Sequence, residues 1–107
     1  MKKFCILIPI KEEYRDEYVK IHLEAWPEML KAIREAGFTN EVIYYYQDQS
    51  IIFLECPDLK ACDAKLRATE ICKKWDETVC PWFKGDPVIL DKIFDLNQQL
   101  DGQLLPD

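Results

Sequence analysis

The hydrophobic pattern changes its period after the tenth residue, and this change constrains the fold more than any other feature. The run FCILIPI, at residues 4–10, is short, apolar and contains three isoleucines, so it predicts a buried strand. Over residues 12–36 the apolar and aromatic positions instead recur every three or four residues, which predicts an amphipathic helix. Pro27 must kink or restart that helix because it lacks an amide hydrogen, and Gly37 is a suitable C-terminal stop.

The rest of the chain predicts a hairpin, a second helical region and a final strand. The runs VIYYYQ, at residues 42–47, and IIFLEC, at residues 51–56, are joined by a short polar turn, which is typical of a hairpin. Asp58 and Thr69 are each placed to cap a following helix through a side-chain oxygen. The run VILDKIF, at residues 88–94, then predicts the last strand.

The element order is therefore βαββαβ, which predicts one α+β domain over residues 1–107 with a ferredoxin-like fold. In this fold a four-stranded antiparallel sheet carries its helices on one face. The other face should then be polar, yet the first three predicted strands are apolar on both sides. We expect the same face of a second copy to cover it, which predicts a sheet-to-sheet homodimer. Residues from about 97 to 107 are expected to form a C-terminal tail that could contact the other subunit.

The composition excludes several classes of function. The net charge of -6 is spread along the chain, so a nucleic-acid backbone would be repelled. The apolar start ends at Lys11 without the features of a signal peptide, and no run approaches the roughly 20 apolar residues that cross a bilayer. The five cysteines are odd in number and include no CxxC pair, which predicts reduced thiols in a cytoplasmic protein and no metal site.

His22 is the only histidine in the chain, and it lies four residues after Tyr18 and four before Trp26. With Tyr14, four residues before Tyr18, this spacing would place four rings in one stripe along a helix, next to the interruption at Pro27. One interpretation is that they are core residues, with the imidazole hydrogen-bonded to a backbone carbonyl. The other is that the aromatic rings cover the faces of a bound sugar while His22 moves a proton, since its pKa is ordinarily about 6.5. Periodicity does not choose between these interpretations.

Three groups of residues carry a family resemblance: Tyr18, His22, Trp26, Pro27 and Glu28; Gly37, Asn40, Ile43 and Tyr44; and TEICKKW at residues 69–75. In this order they resemble the L-rhamnose mutarotase family, from residue 4 to about residue 82. The resemblance implies a small dimeric ferredoxin-like enzyme that interconverts the anomers of a 6-deoxyhexose without cofactor or metal. It also implies that His22 is the catalytic proton donor, that Tyr18 contacts the sugar and that Trp75 forms an aromatic wall.

Two positions depart from the pattern of that family. This chain has Asp76 where the family has a second tryptophan, and Glu41 where the family has a tyrosine that contacts the sugar. Carboxylates accept hydrogen bonds from sugar hydroxyls, whereas aromatic rings cover apolar faces. Glu41 and Asp76 are therefore predicted to bind a changed hydroxyl pattern, so that L-rhamnose and a related monosaccharide such as L-fucose are both candidates. The alternative is that they are solvated surface acids.

Two other functions fit the same fold and histidine. Ferredoxin-like monooxygenases and haem-degrading proteins share the dimeric arrangement, although the basic residues of this chain are scattered among acids. A protein that only binds or senses a sugar could keep the pocket without catalysis. The prediction that we retain is an isomerase whose partner is a monosaccharide, with no nucleic acid and no membrane.

Overall fold

A computed structural model describes residues 1–105 of the chain. The sheet contains β1 (Lys2–Pro9), β2 (Asn40–Tyr46), β3 (Gln49–Cys56) and β4 (Val88–Ile89), in the spatial order β2-β3-β1-β4. The helices are α1 (Arg15–Leu23), α2 (Pro27–Glu35), α3 (Leu59–Arg67), α4 (Glu70–Val79) and the short α5 (Leu96–Leu100). Each pair of neighbouring strands is antiparallel, which confirms the predicted ferredoxin-like α+β fold.

The first helical region is interrupted as Pro27 requires, but the aromatic stripe is shorter than predicted. α2 begins at Pro27, where a missing amide hydrogen removes no intrahelical bond. Tyr14 belongs to a 3-10 turn before α1, and Trp26 caps α2 with an extended backbone. Of the four rings expected on one stripe, only those of Tyr18 and His22 therefore share a helix, because the proline break ends the α1 spiral before Trp26.

The hairpin between β2 and β3 is confirmed, and its turn is anchored by side chains. Gln47 and Asp48 have φ angles of 47° and 57°, as in the two-residue turns whose twist matches that of paired strands. The Asp48 carboxylate accepts hydrogen bonds from Arg15 at 2.6 and 2.8 Å and from the Tyr45 hydroxyl at 2.9 Å. These bonds hold the hairpin end against the start of α1.

Side-chain oxygens begin both helices of the second helical region, as predicted. Asp58 accepts the Ala61 amide at 3.0 Å at the start of α3, and Thr69 accepts the Cys72 amide at 3.3 Å at the start of α4. The predicted stop after the first helical region is also confirmed, since Gly37 has a φ of 113° that other residues rarely adopt.

The last strand is shorter than the predicted run of residues 88–94. Only Val88 and Ile89 pair with β1, followed by one further hydrogen bond from the Leu90 amide. The chain then leaves the sheet, and Asp95 caps α5 and forms ion pairs with Lys3 and Lys92 at 3.6 and 3.4 Å. The expected tail therefore begins with a short helix, and its last two residues lie outside the described range.

The sheet packs one face against the helices and exposes the other. β3 buries alternate residues from position 50 to position 56 on the inner side. The opposite side carries exposed apolar side chains, with Tyr44 exposed by 62%, Phe53 by 46% and Val88 by 51%. We call these three residues and three apolar neighbours on the same side of the sheet the outer sheet face. Its members are Leu7, Val42, Tyr44, Ile51, Phe53 and Val88.

Candidate active site

A cavity of about 1220 Å³ lies between the inner face of the sheet and the helices that cover it. Its apolar lining comes largely from the strands, with Ile6, Ile8, Ile43, Ile52 and Leu54. Its polar lining includes Asn40, Glu41, Asp63, Arg67 and Asp76. Tyr18, His22 and Trp75 also line this cavity, so the structure brings five of the six predicted site residues to one space.

His22 is half-buried on α1, and one of its ring nitrogens is committed to the backbone. Its Nδ1 lies 2.7 Å from the carbonyl oxygen of Tyr18. A carbonyl oxygen only accepts hydrogen bonds, so Nδ1 carries a proton and Nε2 is the nitrogen available to the cavity. Burial lowers the pKa of His22 below its ordinary value, and the bond to the Tyr18 carbonyl partly opposes this shift.

Aromatic rings surround the imidazole on two sides. The Tyr18 ring lies 4.4 Å from the His22 ring, and the Trp75 ring meets it edge-to-face at 5.3 Å between centroids. Trp26 was also predicted to bind the substrate, but it is not among the cavity-lining residues. Trp26 packs edge-to-face on Trp75, with 5.2 Å between the ring centroids, and so supports the indole that lines the cavity.

Tyr18 is fixed by a buried partner that the sequence did not reveal. Only 2% of Tyr18 is exposed, and its hydroxyl donates to the Ser50 hydroxyl oxygen at 2.7 Å. Burial raises the pKa of Tyr18, while the bond to Ser50 opposes the shift. Tyr18 therefore keeps its proton near neutral pH, and its ring rather than its hydroxyl proton is offered to the cavity. A serine among the inward apolar positions of β3 was the only sequence signal for this pair.

Asp76 lines the cavity and is bound by Arg67, a contact that the sequence did not predict. The Nη1 of Arg67 donates to both Asp76 carboxylate oxygens, at 2.7 and 2.6 Å. The Nε of the same guanidinium donates to Asp63 at 3.3 Å. Burial acts to lower the pKa of Arg67, but the Asp76 carboxylate outweighs it and the net pKa is raised. Asp76 is thus part of an ion-pair cluster and not an isolated surface acid.

Glu41 lies on β2 opposite Leu54, among the cavity-lining residues. Surrounding protein raises the pKa of its carboxyl, and the positive charge of Arg67 partly opposes the shift. Within residues 1–105, no side chain donates a hydrogen bond to this carboxylate. The negative charge of Glu41 also contributes to the raised pKa of the Tyr18 phenol. Glu41 is exposed to solvent, as the alternative of a solvated surface acid expected, although it also lines the cavity.

Residues 1–105 contain no group of three histidine, cysteine or acidic side chains arranged to hold a metal ion. No helix in the same range has the length and apolar character required to cross a membrane. The five cysteines are free thiols, three of them buried.

Solved structures with this fold include enzymes of different chemistry. The L-rhamnose mutarotase of Formosa agariphila superposes with a TM-score of 0.73 at 17% identity, covering 90% of this chain and 99% of that one. An antibiotic biosynthesis monooxygenase superposes with a TM-score of 0.62 at 20% identity, covering 88% of this chain and 100% of the other. At such identities the likeness establishes the fold and does not separate the two chemistries.

Sequence similarity distinguishes between the mutarotase and monooxygenase families. A family model described as L-rhamnose mutarotase matches residues 3–96. The L-rhamnose mutarotase of Listeria monocytogenes serovar 1/2a is 37% identical over 89 residues, covering 81% of this chain and 85% of that protein. The one from Lactiplantibacillus plantarum is 42% identical over 67 residues, which are 61% of this chain and 62% of that protein. The chain therefore belongs to the L-rhamnose mutarotase family, as its motifs predicted.

Proposed function

We propose that this protein is an aldose mutarotase, an isomerase that interconverts the α and β anomers of a 6-deoxyhexose or a related aldose. Membership of the family supports the reaction class. The observation that carries the proposal is the state of His22: Nδ1 is held by the Tyr18 carbonyl at 2.7 Å, while Nε2 is left to a cavity that Trp75 also lines. An imidazole held in this way can transfer a proton at one defined atom.

Anomer exchange needs two proton movements and no electron transfer to or from the sugar. During ring opening, a base removes the proton of the anomeric hydroxyl while the bond between the anomeric carbon and the ring oxygen breaks. An acid then protonates the ring oxygen, and closure on the other face reverses both transfers. In this proposal His22 Nε2 supplies the proton to the ring oxygen. Positioned acid and base groups each typically contribute about 100-fold to 10,000-fold to such a rate.

The walls of the cavity suggest how a sugar would be held. The Trp75 indole offers a flat surface for the apolar side of a pyranose, and the Tyr18 ring extends this surface on the other side of His22. Carboxylates at Glu41 and Asp76 accept hydrogen bonds from hydroxyl groups. We therefore expect a neutral monosaccharide with several free hydroxyls, with L-rhamnose and L-fucose as the first candidates.

We also propose that the protein acts as a homodimer in the cytoplasm. The outer sheet face is a continuous apolar surface on three paired strands and the short β4, and a second copy could cover it about a two-fold axis. The segment after β4 adds exposed apolar side chains at Ile93, Phe94 and Leu96, which would pack on the partner. Free thiols that include three buried cysteines suit a reducing compartment.

A screen of sugars tests the proposal and separates it from the alternatives. Purified protein is added to L-rhamnose, L-fucose and neutral aldohexoses, and anomer exchange is followed by saturation-transfer NMR. Accelerated exchange for at least one sugar is expected. A saturable sugar complex without faster exchange would indicate a binding protein or sensor instead, and a haem spectrum on titration would indicate the haem-degrading alternative.

A further inference from the structure

We infer that Glu41 is the second proton-transfer group of this site: it removes the proton of the anomeric hydroxyl while His22 protonates the ring oxygen. The inference rests on the proposed mutarotase activity and names the base that this activity requires. It follows from comparing the groups that share the cavity with His22. Five of them carry a phenol or carboxyl oxygen that could take a proton: Tyr18, Glu41, Asp63, Asp76 and Asp86.

Three of these groups are already engaged, and a fourth lies elsewhere. Asp86 lies just before β4, at the sheet edge opposite β2, whereas Tyr18 contacts β2 and β3 through Tyr45 and Ser50. Asp63 accepts the Arg67 Nε at 3.3 Å. The Tyr18 hydroxyl donates a hydrogen bond to the Ser50 hydroxyl oxygen at 2.7 Å, and burial raises its pKa, so it is not ionised near neutral pH. Both carboxylate oxygens of Asp76 accept from Arg67, at 2.7 and 2.6 Å. A carboxylate whose two oxygens both accept from a guanidinium nitrogen is a weak base, because taking a proton would cost it that charge-assisted contact.

Glu41 is in the opposite state. Its carboxylate receives no side-chain hydrogen bond from the described residues, although it lies among the residues that line the cavity. It occupies the same face of β2 as Ile43, another cavity-lining residue, because alternate residues of a strand point to the same side. Glu41 is exposed to solvent, so its carboxylate is free to accept from a sugar hydroxyl. The surrounding protein still raises its pKa, which makes the ionised form a stronger base.

The charges around Glu41 are arranged so that this basicity is retained. The other acidic and basic side chains that line the same cavity, apart from His22, are Arg34, Asp63, Arg67, Asp76, Lys84 and Asp86. Arg67 is the cation that acts on Glu41, but its Nη1 and Nε donate to Asp76 and Asp63. Because two carboxylates already balance it, Arg67 lowers the pKa of Glu41 less than an unpaired guanidinium would.

The step balances without any further reactant. The Glu41 carboxylate takes the hydroxyl proton, and the O–H electron pair becomes the second bond of the aldehyde carbonyl. The pair of the bond between the anomeric carbon and the ring oxygen moves to that oxygen, which takes the Nε2 proton of His22. After rotation about the bond next to the aldehyde, the ring oxygen attacks the carbonyl carbon and gives its proton back to His22 Nε2. The protonated Glu41 gives its proton to the former carbonyl oxygen, so both groups return to their starting states.

The test compares Glu41→Gln with Glu41→Asp and with the control Glu77→Gln, which alters an exposed acid of α4 outside the cavity lining. The anomer exchange constants kcat and KM are measured by NMR across pH on a sugar that the wild type accepts. Glu41→Gln should lower kcat by about 100-fold or more with little change in KM, since its amide cannot take the proton. Glu41→Asp should recover part of the rate, and Glu77→Gln should match the wild type.

The pH profile separates catalysis from sugar binding. In the wild type kcat/KM should fall at acid pH as Glu41 becomes protonated, and this fall should be absent in Glu41→Gln. A Glu41→Gln protein with raised KM, unchanged kcat and the same acid limb would overturn the inference and leave Glu41 as a binding residue. That result differs from failure of the proposed function, in which the wild type itself would accelerate no anomer exchange. Circular dichroism of each variant confirms that it is folded.

Discussion

The Nδ1 of His22 donates a hydrogen bond to the carbonyl oxygen of Tyr18, one helical turn earlier in α1, at 2.7 Å. The bond removes one of the two ring nitrogens from chemistry and fixes which atom meets a ligand. It also holds the imidazole edge-to-face against Trp75 at 5.3 Å, so the ring cannot rotate freely in the cavity. The proposed reaction depends on this local arrangement, which is available only because α1 continues from Tyr18 to His22.

The alkaline side of the pH profile should report His22. Burial lowers its pKa below the ordinary value, and an acid catalyst is active only while protonated. The enzyme-dependent part of kcat/KM should therefore fall as pH rises through a midpoint below about 6.5. NMR exchange rates between pH 4.5 and 8, corrected for the spontaneous reaction, measure this limb. A rate that rises steadily from pH 5 to pH 8 would contradict the assignment of His22 as the acid.

Removing the positive charge of Arg67 should move the acid side of the same profile. Arg67 lowers the pKa of Glu41, so Arg67→Leu should raise that pKa further and shift the acid limb to higher pH. The matched control is Lys73→Leu, which removes a cation of α4 that pairs with Glu70 outside the cavity. An Arg67→Leu limb at or below the wild-type position would show that the two charges are not coupled.

Gly37 should be difficult to replace. Its φ is 113°, and a Cβ built there would lie 2.8 Å from the Cys62 sulfur. Gly37→Ala should lower the free energy of unfolding by about 2 to 4 kcal/mol, from backbone strain and overpacking together. Urea denaturation measures the loss, which should be smaller in a Cys62→Ala background. Gly102→Ala is the control, since its φ is 90° but no atom lies within 4 Å of the added Cβ; equal losses at both positions would contradict this account.

A charge on the outer sheet face should separate the proposed dimer. Phe53 is 46% exposed and lies near the middle of that face, where it meets Tyr44 edge-to-face at 5.8 Å. Phe53→Lys would place an unpaired ammonium group in the interface, so the variant should sediment as a monomer while the wild type sediments as a dimer. Ala64→Lys, on the exposed side of α3, should leave the dimer intact. A wild type that is monomeric at micromolar concentration would contradict the proposal.

Most elements could be predicted from the sequence because their signals are local. The Asp58 and Thr69 caps, the Pro27 break and the Gly37 stop each depend on a few adjacent residues. The last strand was predicted too long because its length depends on pairing with β1, a distant part of the chain, and only Val88 and Ile89 pair there. The stripe from Tyr14 to Trp26 was predicted too long because it assumed one helix over these residues, whereas α1 runs only from Arg15 to Leu23.

Only part of the candidate site could be predicted from the sequence. The pair that residue spacing predicted lies close together in one helix, and the partners that were missed lie in other elements. Tyr18 and His22 are one turn apart, so a spacing of four residues places them together. Ser50 was missed because its bond to Tyr18 joins residues 32 positions apart, which only the sheet register brings together. Arg67 was missed because its contact with Asp76 crosses from α3 to α4. Periodicity within one element carries no information about such pairs.

Anomer exchange catalysed by His22 variants is the most direct test of the central claim. Saturation-transfer NMR should compare the wild type with His22→Ala, with His22→Asn and with the control Lys20→Ala, an exposed position of the same helix. The two His22 variants should lose at least about 100-fold in the enzyme-dependent rate while remaining folded, because neither side chain can supply the proton. Lys20→Ala should match the wild type. An unchanged exchange rate in folded His22→Ala would contradict the account.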